Sequence, residues 1–152
     1  MATIKVGRAP TAVAISPDGT HAYVTNTRAN SVSVIDTATN EVVAPAIKVG
    51  RDPIALAVAP DGSRVYVADV RDDTVSVIRA GTNSLAPKKI STGKSPISMA
   101  ITPDGHRLYI ANSREGTVSV PPPEPVGQSP PRYGSRTGRR PSRSTLSPLA
   151  RM

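Results

Sequence analysis

The sequence predicts an all-β fold of repeated antiparallel sheets, and two observations carry the prediction. The run SPDGTHAYVTN at residues 16–26 returns as APDGSRVYVAD at 59–69 and as TPDGHRLYIAN at 102–112, a period of 43 residues. Self-similarity at a fixed period of this length marks repeated supersecondary units. Within each repeat, short alternating or apolar stretches are bounded by turn residues, as strands are. No stretch reads as a helix.

Taken in order, Ile4–Lys5–Val6 is short and apolar, Gly7 to Pro10 supplies a turn, and residues 12–15 (AVAI) suit a buried strand. The later copies read ALAV and SMAI. Ser16–Pro17–Asp18–Gly19 places proline, aspartate and glycine where a tight turn needs them, which predicts a hairpin. Residues 21–25 alternate, with His21, Tyr23 and Thr25 on one face and Ala22 and Val24 on the other. A polar loop follows at 26–30. Residues 31–36 form a third strand, with Val32 and Val34 opposite Ser33 and Ile35. Residues 41–49 are extended, and Pro45 confines them to an edge or a bulged pairing, so this fourth strand is outermost.

Four short strands per 43 residues match the blade of a β-propeller, a four-stranded antiparallel sheet set radially around a channel. A plain β-sandwich would explain the alternation but not the repeat. The expected architecture is a partial β-propeller of about three four-stranded blades over residues 1–120, with blades near 4–46, 47–89 and 90–120, followed by a disordered tail at 121–152.

The runs SPDGTHAYVTN, NSVSVIDTATNEVV and IKVGRAP closely resemble the YVTN family of β-propeller repeats, WD40-like modules of surface-layer and periplasmic proteins. The spelling stands at Tyr23 to Asn26, with looser versions YVAD and YIAN. The resemblance implies a binding or scaffolding module and a periplasmic or cell-surface location. The repeat pattern begins by Ile4, so no secretory leader is expected in this chain.

The third repeat breaks inside its third strand, where Pro121, Pro122 and Pro123 replace the residues that continue the first. Residues 121–152 carry half of the 16 prolines and six arginines against one glutamate, a composition that predicts disorder. Because the break cuts a hairpin, out-of-frame translation of a GC-rich gene is one reading of this tail. Three blades fall short of a ring of four to eight. Blades are apolar on both faces, so the two outer faces would forfeit burial on the order of 10 kcal/mol. A homodimer completing the ring is the expected remedy, with Ile4–Val6 of one copy beside Ser119 and Val120 of the other.

The loop before strand one and the loop between strands two and three share an end of the blade. That end collects Arg8, Arg51 and Lys94 from one loop and Arg28, Arg71 and Arg114 from the other, an arc suited to an anionic or protein ligand. Asp52, Asp69, Asp72, Asp73 and Glu115 lie among them, which also fits an ordinary solvated surface of mixed charge. Asp18, Asp61 and Asp104 belong to the turns. His21 and His106 occupy different repeat positions and make no metal site. No catalytic constellation, cofactor or metal is expected, and the inner strands carry no His, Glu or Asp. The expected function is non-enzymatic binding, with ligand unknown; the alternatives are a fragment of a lactonase-like propeller enzyme and a truncated product without function. The arginines of the tail imitate a nucleic-acid segment, but nucleic acid is not the expected partner. No membrane span is expected.

Overall fold

The structure is a computed structural model that describes residues 1–43 and 45–122. The tail after residue 122, expected to be disordered, lies outside the described residues. The first sheet contains β1 (Pro10–Ile15), β2 (His21–Asn26), β3 (Ser31–Asp36), β4 (Glu41–Val42) and β5 (Ile47–Lys48), all pairings antiparallel. The second repeats it with β6 (Pro53–Val58), β7 (Arg64–Asp69), β8 (Thr74–Arg79), β9 (Ser84–Leu85) and β10 (Ile90–Ser91). The third contains β11 (Pro96–Ile101), β12 (Leu108–Asn112) and β13 (Thr117–Ser119) among the described residues.

The outer strand is split. β4 pairs with the end of β3 and β5 with its beginning, and Pro45, which has no N–H to donate, falls in the gap. Hydrogen bonding also offsets the sheets from the repeat windows. Ile47–Lys48, which begins the second 43-residue window, closes the first sheet by pairing with Val32 and Ser31. Ile90–Ser91 closes the second sheet in the same way. The loop after β2 forms a single 3-10 turn, Thr27–Ala29, closed by Asn30 in the left-handed region at φ 53°.

The PDG turns form as their residues dictate. Gly19, Gly62 and Gly105 sit at φ 77–78°, which glycine adopts without a side-chain clash. Asp18 accepts from the Thr20 amide at 3.0 Å and the Ser16 hydroxyl at 2.7 Å. These bonds, that from Ser16 foremost, hold its carboxyl down at about 2. The equivalent Asp61 and Asp104 cap their turns likewise.

The sheets converge at their first strands, β1 against β6 and β6 against β11, and so are arranged as blades. Packing follows the alternation. One face of the first blade (Tyr23, Val32, Val34, Ile47) meets the opposite face of the second (Val65, Val67, Ile78). The second presents Tyr66, Val75 and Val77 to Leu108 and Ile110 of the third. On the other side of the first blade, Ala22, Val24 and Ile35 are covered by Ile4 and Val6.

A buried polar lock recurs at the last residue of the YVTN-like run. Asn26 accepts from the Gly7 amide at 3.1 Å and donates through Nδ2 to Ser31 and Ser33. A Cβ on Gly7 would lie 2.6 Å from the Asn26 side chain, so glycine is required for the approach. In the second blade the residue is Asp69, fully buried, accepting from Gly50 N–H at 3.1 Å and from the Ser76 hydroxyl at 2.5 Å. At the position equivalent to Ser31, the buried Thr74 hydroxyl has no partner among the described residues, whereas Asn26 Nδ2 donates to Ser31 in the first blade. Burial pushes the Asp69 carboxyl up to about 6, against the opposing effect of the Ser76 bond. The sequence reading, which placed Asp69 among the solvated loop charges, is corrected here: the pleat turns it inward.

Asp69 therefore contributes stability below its ordinary value near 3.8 that is lost as pH rises through about 6. Asp69→Asn restores a donor for Thr74 and removes the buried charge. Relative to the parent chain it should stabilise the fold at pH 7.5 by on the order of 1–2 kcal/mol. The gain should shrink toward pH 4, as read by paired urea melts. Gly50→Ala should cost at least about 2 kcal/mol in the same melts.

Candidate functional site: a cationic loop face

The two loops named from the sequence meet at one end of every blade. The Arg28 amide donates to the Arg8 carbonyl, Arg71 to Arg51 and Arg114 to Lys94, each at 3.2 Å. The six cations thus stand in three adjacent pairs, all six residues exposed. What sets the loops is a left-handed residue in each: Ala9, Asp52 and Ser95 in the first loop have φ of 54–57°. In the second loop, Asn30 and Asp73 sit at φ 53° and Gly116 at 66°.

Charge is not distributed evenly over the three pairs. In the second blade, Arg51 makes a two-point contact with Asp72, Nε to Oδ1 at 2.7 Å and backbone N–H to Oδ2 at 2.8 Å. The Arg51 side-chain bond is the largest influence holding the Asp72 carboxyl below its usual range, and it raises the guanidinium in turn. Arg71 reaches Asp52 at 3.2 Å, and Lys94 reaches Asp73 of the preceding blade at 3.7 Å. The first blade carries Ala9, Ala29 and Asn30 where the second has its three acids, so Arg8 and Arg28 face no equivalent carboxylate. Glu115 of the third blade turns toward Thr117, whose hydroxyl donates to it at 3.1 Å.

Asp73 and Asn30 also tie blades together. The Asn30 side chain accepts from the Asp52 amide at 3.0 Å, and that of Asp73 from the Ser95 amide at 2.9 Å. Between the second and third blades these loops enclose a cleft of about 690 Å3, with Arg71, Lys94 and Arg114 on its walls beside Asp52 and Asp73. Arg8, Arg28 and Arg51 stand outside it. The cross-loop ion pairs depend on spacing between loops and blades, which no local sequence pattern encodes.

Among the described residues no three His, Cys, Asp or Glu side chains come together as a metal site. His21 bonds to the Thr20 hydroxyl at 2.9 Å, and His106 lies 3.5 Å from Asp104. No helix among the described residues is long and apolar enough to cross a membrane.

Converging antiparallel blades joined at a common inner edge define a β-propeller chain. Residues 2–91, more than half of the sequence, match the family model described as lactonase, 7-bladed β-propeller, and the chain belongs to that family. No curated protein matches it. Among solved structures it is similar to hydrazine synthase of Kuenenia stuttgartiensis, with 31% identity and a TM-score of 0.67 over 74% of this chain and 31% of that one. Two Bacteroides proteins put forward as 6-phosphogluconolactonases share the fold. That of B. fragilis has 20% identity and TM-score 0.66, over 75% of this chain and 35% of that one. That of B. uniformis has 21% and 0.67, over 76% and 36%. The chain spans about a third of the length of these structures.

The ion pairs of this face are exposed, so they place charge rather than hold the fold. Asp72→Asn should lower stability by less than about 1 kcal/mol in thermal or urea unfolding.

Proposed function

We propose that this chain is a non-enzymatic binding module of the lactonase propeller family, taking a small anionic ligand in the cleft between its second and third blades. The observation that carries the reading is the convergence of Arg71, Lys94 and Arg114 on one cleft. Arg114 forms no ion pair among the described residues, whereas Arg71 and Lys94 are held by Asp52 and Asp73. A phosphate or carboxylate of the ligand would bond to Arg114 directly and compete with the two aspartates for the other cations. The YVTN-like spelling at Tyr23–Asn26 supports a periplasmic or cell-surface setting for such a module.

A second reading, lactone hydrolysis by a propeller of which this chain forms part, is favoured by the family match and by the proposed activity of the Bacteroides relatives. Against it, the two carboxylates of the cleft already accept bonds from Ser95 N–H or from cations, and neither is free to act as a base.

Calorimetric titration with 6-phosphogluconate separates the readings when paired with a lactone-hydrolysis assay. Binding that weakens about tenfold in Arg114→Ala and disappears at high salt, without hydrolysis, supports the module. Asp73→Asn should tighten it by releasing Lys94. Hydrolysis by the chain would establish the enzyme reading, and titration without heat in any variant would remove the cleft as an anion site.

A further inference from the structure

We propose that a cleft between the PDG turns of the first and second blades is a second binding site, for a small organic cation whose primary ammonium is held by Asp18, Asp61 and the Tyr23 hydroxyl. These turns join the first two strands of each blade, and so lie at the opposite end from the cationic loops. A Cβ on Gly62 would lie 3.6 Å from the Pro17 ring, so the two turns abut. The cleft beside them measures about 290 Å3 and is lined by Asp18, His21, Tyr23 and Asp61, with Ala80 and Gly81 of the turn after β8. That is roughly the volume of ten waters, room for a short diamine. No lysine or arginine stands among its described lining residues.

Both carboxylates are kept ionised by local bonds. The Ser16 hydroxyl and the Thr20 amide and hydroxyl all donate to Asp18 Oδ1, at 2.7–3.0 Å, which leaves Oδ2 without a hydrogen bond among the described residues. The Ser63 hydroxyl foremost, then its amide, holds the Asp61 carboxyl below its usual range. Tyr23 supplies an independent sign of a ligand. It is 2% exposed with its ring in the core between the first two blades, yet its hydroxyl makes no hydrogen bond to a described residue. Buried hydroxyls are ordinarily bonded. Burial first, and then the charge of Asp18, pushes this phenol up, which sets it within the field of that carboxylate.

The repeat shows what the first turn lacks. His21 aligns with Arg64 and Arg107. In the second blade the Arg64 charge acts on Asp61, whereas the first turn carries an imidazole bonded at 2.9 Å to the Thr20 hydroxyl. A repeat that drops its guanidinium at one seam breaks its own rule where a cation from outside can enter. The acceptors suit a primary ammonium, whose N–H donors match Asp18 Oδ2, the Asp61 carboxylate and the Tyr23 oxygen one for one. Calcium takes about six to eight oxygens and is not served by this set.

The full chain titrated with 1,4-diaminobutane at low salt and pH 7.5 should show saturable amide NMR shifts at Thr20, His21, Gly62 and Gly81. Asp18→Asn should weaken binding about tenfold and Tyr23→Phe about fivefold. His21→Arg restores the residue of the other two copies and should abolish binding in a folded chain. Gly81→Lys, where a Cβ meets nothing within 4 Å, should abolish it by a second route. The absence of a saturable shift in the parent chain would overturn the proposal. So would binding that survives both His21→Arg and Gly81→Lys, binding that is unchanged in Tyr23→Phe, or the same shifts produced by calcium chloride alone.

Discussion

The structure depends on one constraint: a sheet whose residues are apolar or small on both faces is stable only between two neighbours. Val65, Val67 and Ile78 on one face of the second blade and Tyr66, Val75 and Val77 on the other are all buried, the first set against the first blade and the second against the third. A single such sheet would leave both sets in water, and burying one Val or Ile side chain contributes about 1.5–3 kcal/mol. The 43-residue repeat is the sequence's record of this constraint, because each blade must present the same two surfaces to fit the next.

Between the blades the chain is fastened by polar bonds that repeat as faithfully as the core. The Asn26, Asp69 and Asn112 positions fix the incoming strand to the blade it crosses onto, through Gly7 and Gly50 amides in the first two cases. In the third blade the Gly93 amide instead bonds to the Ser119 hydroxyl at 3.2 Å, while Asn112 Nδ2 donates to Thr117 and Ser119. Asn112 Oδ1 is thereby left without a partner among the described residues. The cationic loop pairs are a by-product of the same connection, since the turn that enters each blade lies beside the turn between its second and third strands.

The architecture was legible because strand alternation and turn chemistry agree in three copies. Pro17, Asp18 and Gly19 each act through their own local geometry, and so could be read without tertiary information. The blade edges were less legible: whether Ile47 ends one sheet or begins the next is decided by hydrogen bonds to Ser31 and Val32, which no local pattern encodes. The backbone bonds that set the six candidate cations in three neighbouring pairs follow from the topology of the blade. The division of those cations into paired and unpaired does not, because Arg71 is neutralised by Asp52 across two loops and Lys94 by Asp73 across two blades. Asp69 was misplaced because a strand's last residue looks like the start of a loop. The available signal was its alignment with Asn26 and Asn112 and the glycine held opposite each.

Amide hydrogen exchange measured blade by blade in dilute solution tests the dependence on flanking neighbours most directly. If burial between blades sets local stability, β7 and β8 of the second sheet will exchange slowest, with β12 and β13 markedly faster, since among the described residues only one face of the third sheet is covered. Protection at β12 and β13 equal to or greater than that at β7 and β8 would contradict the account, because it would show that a blade of this sequence stands without a second neighbour.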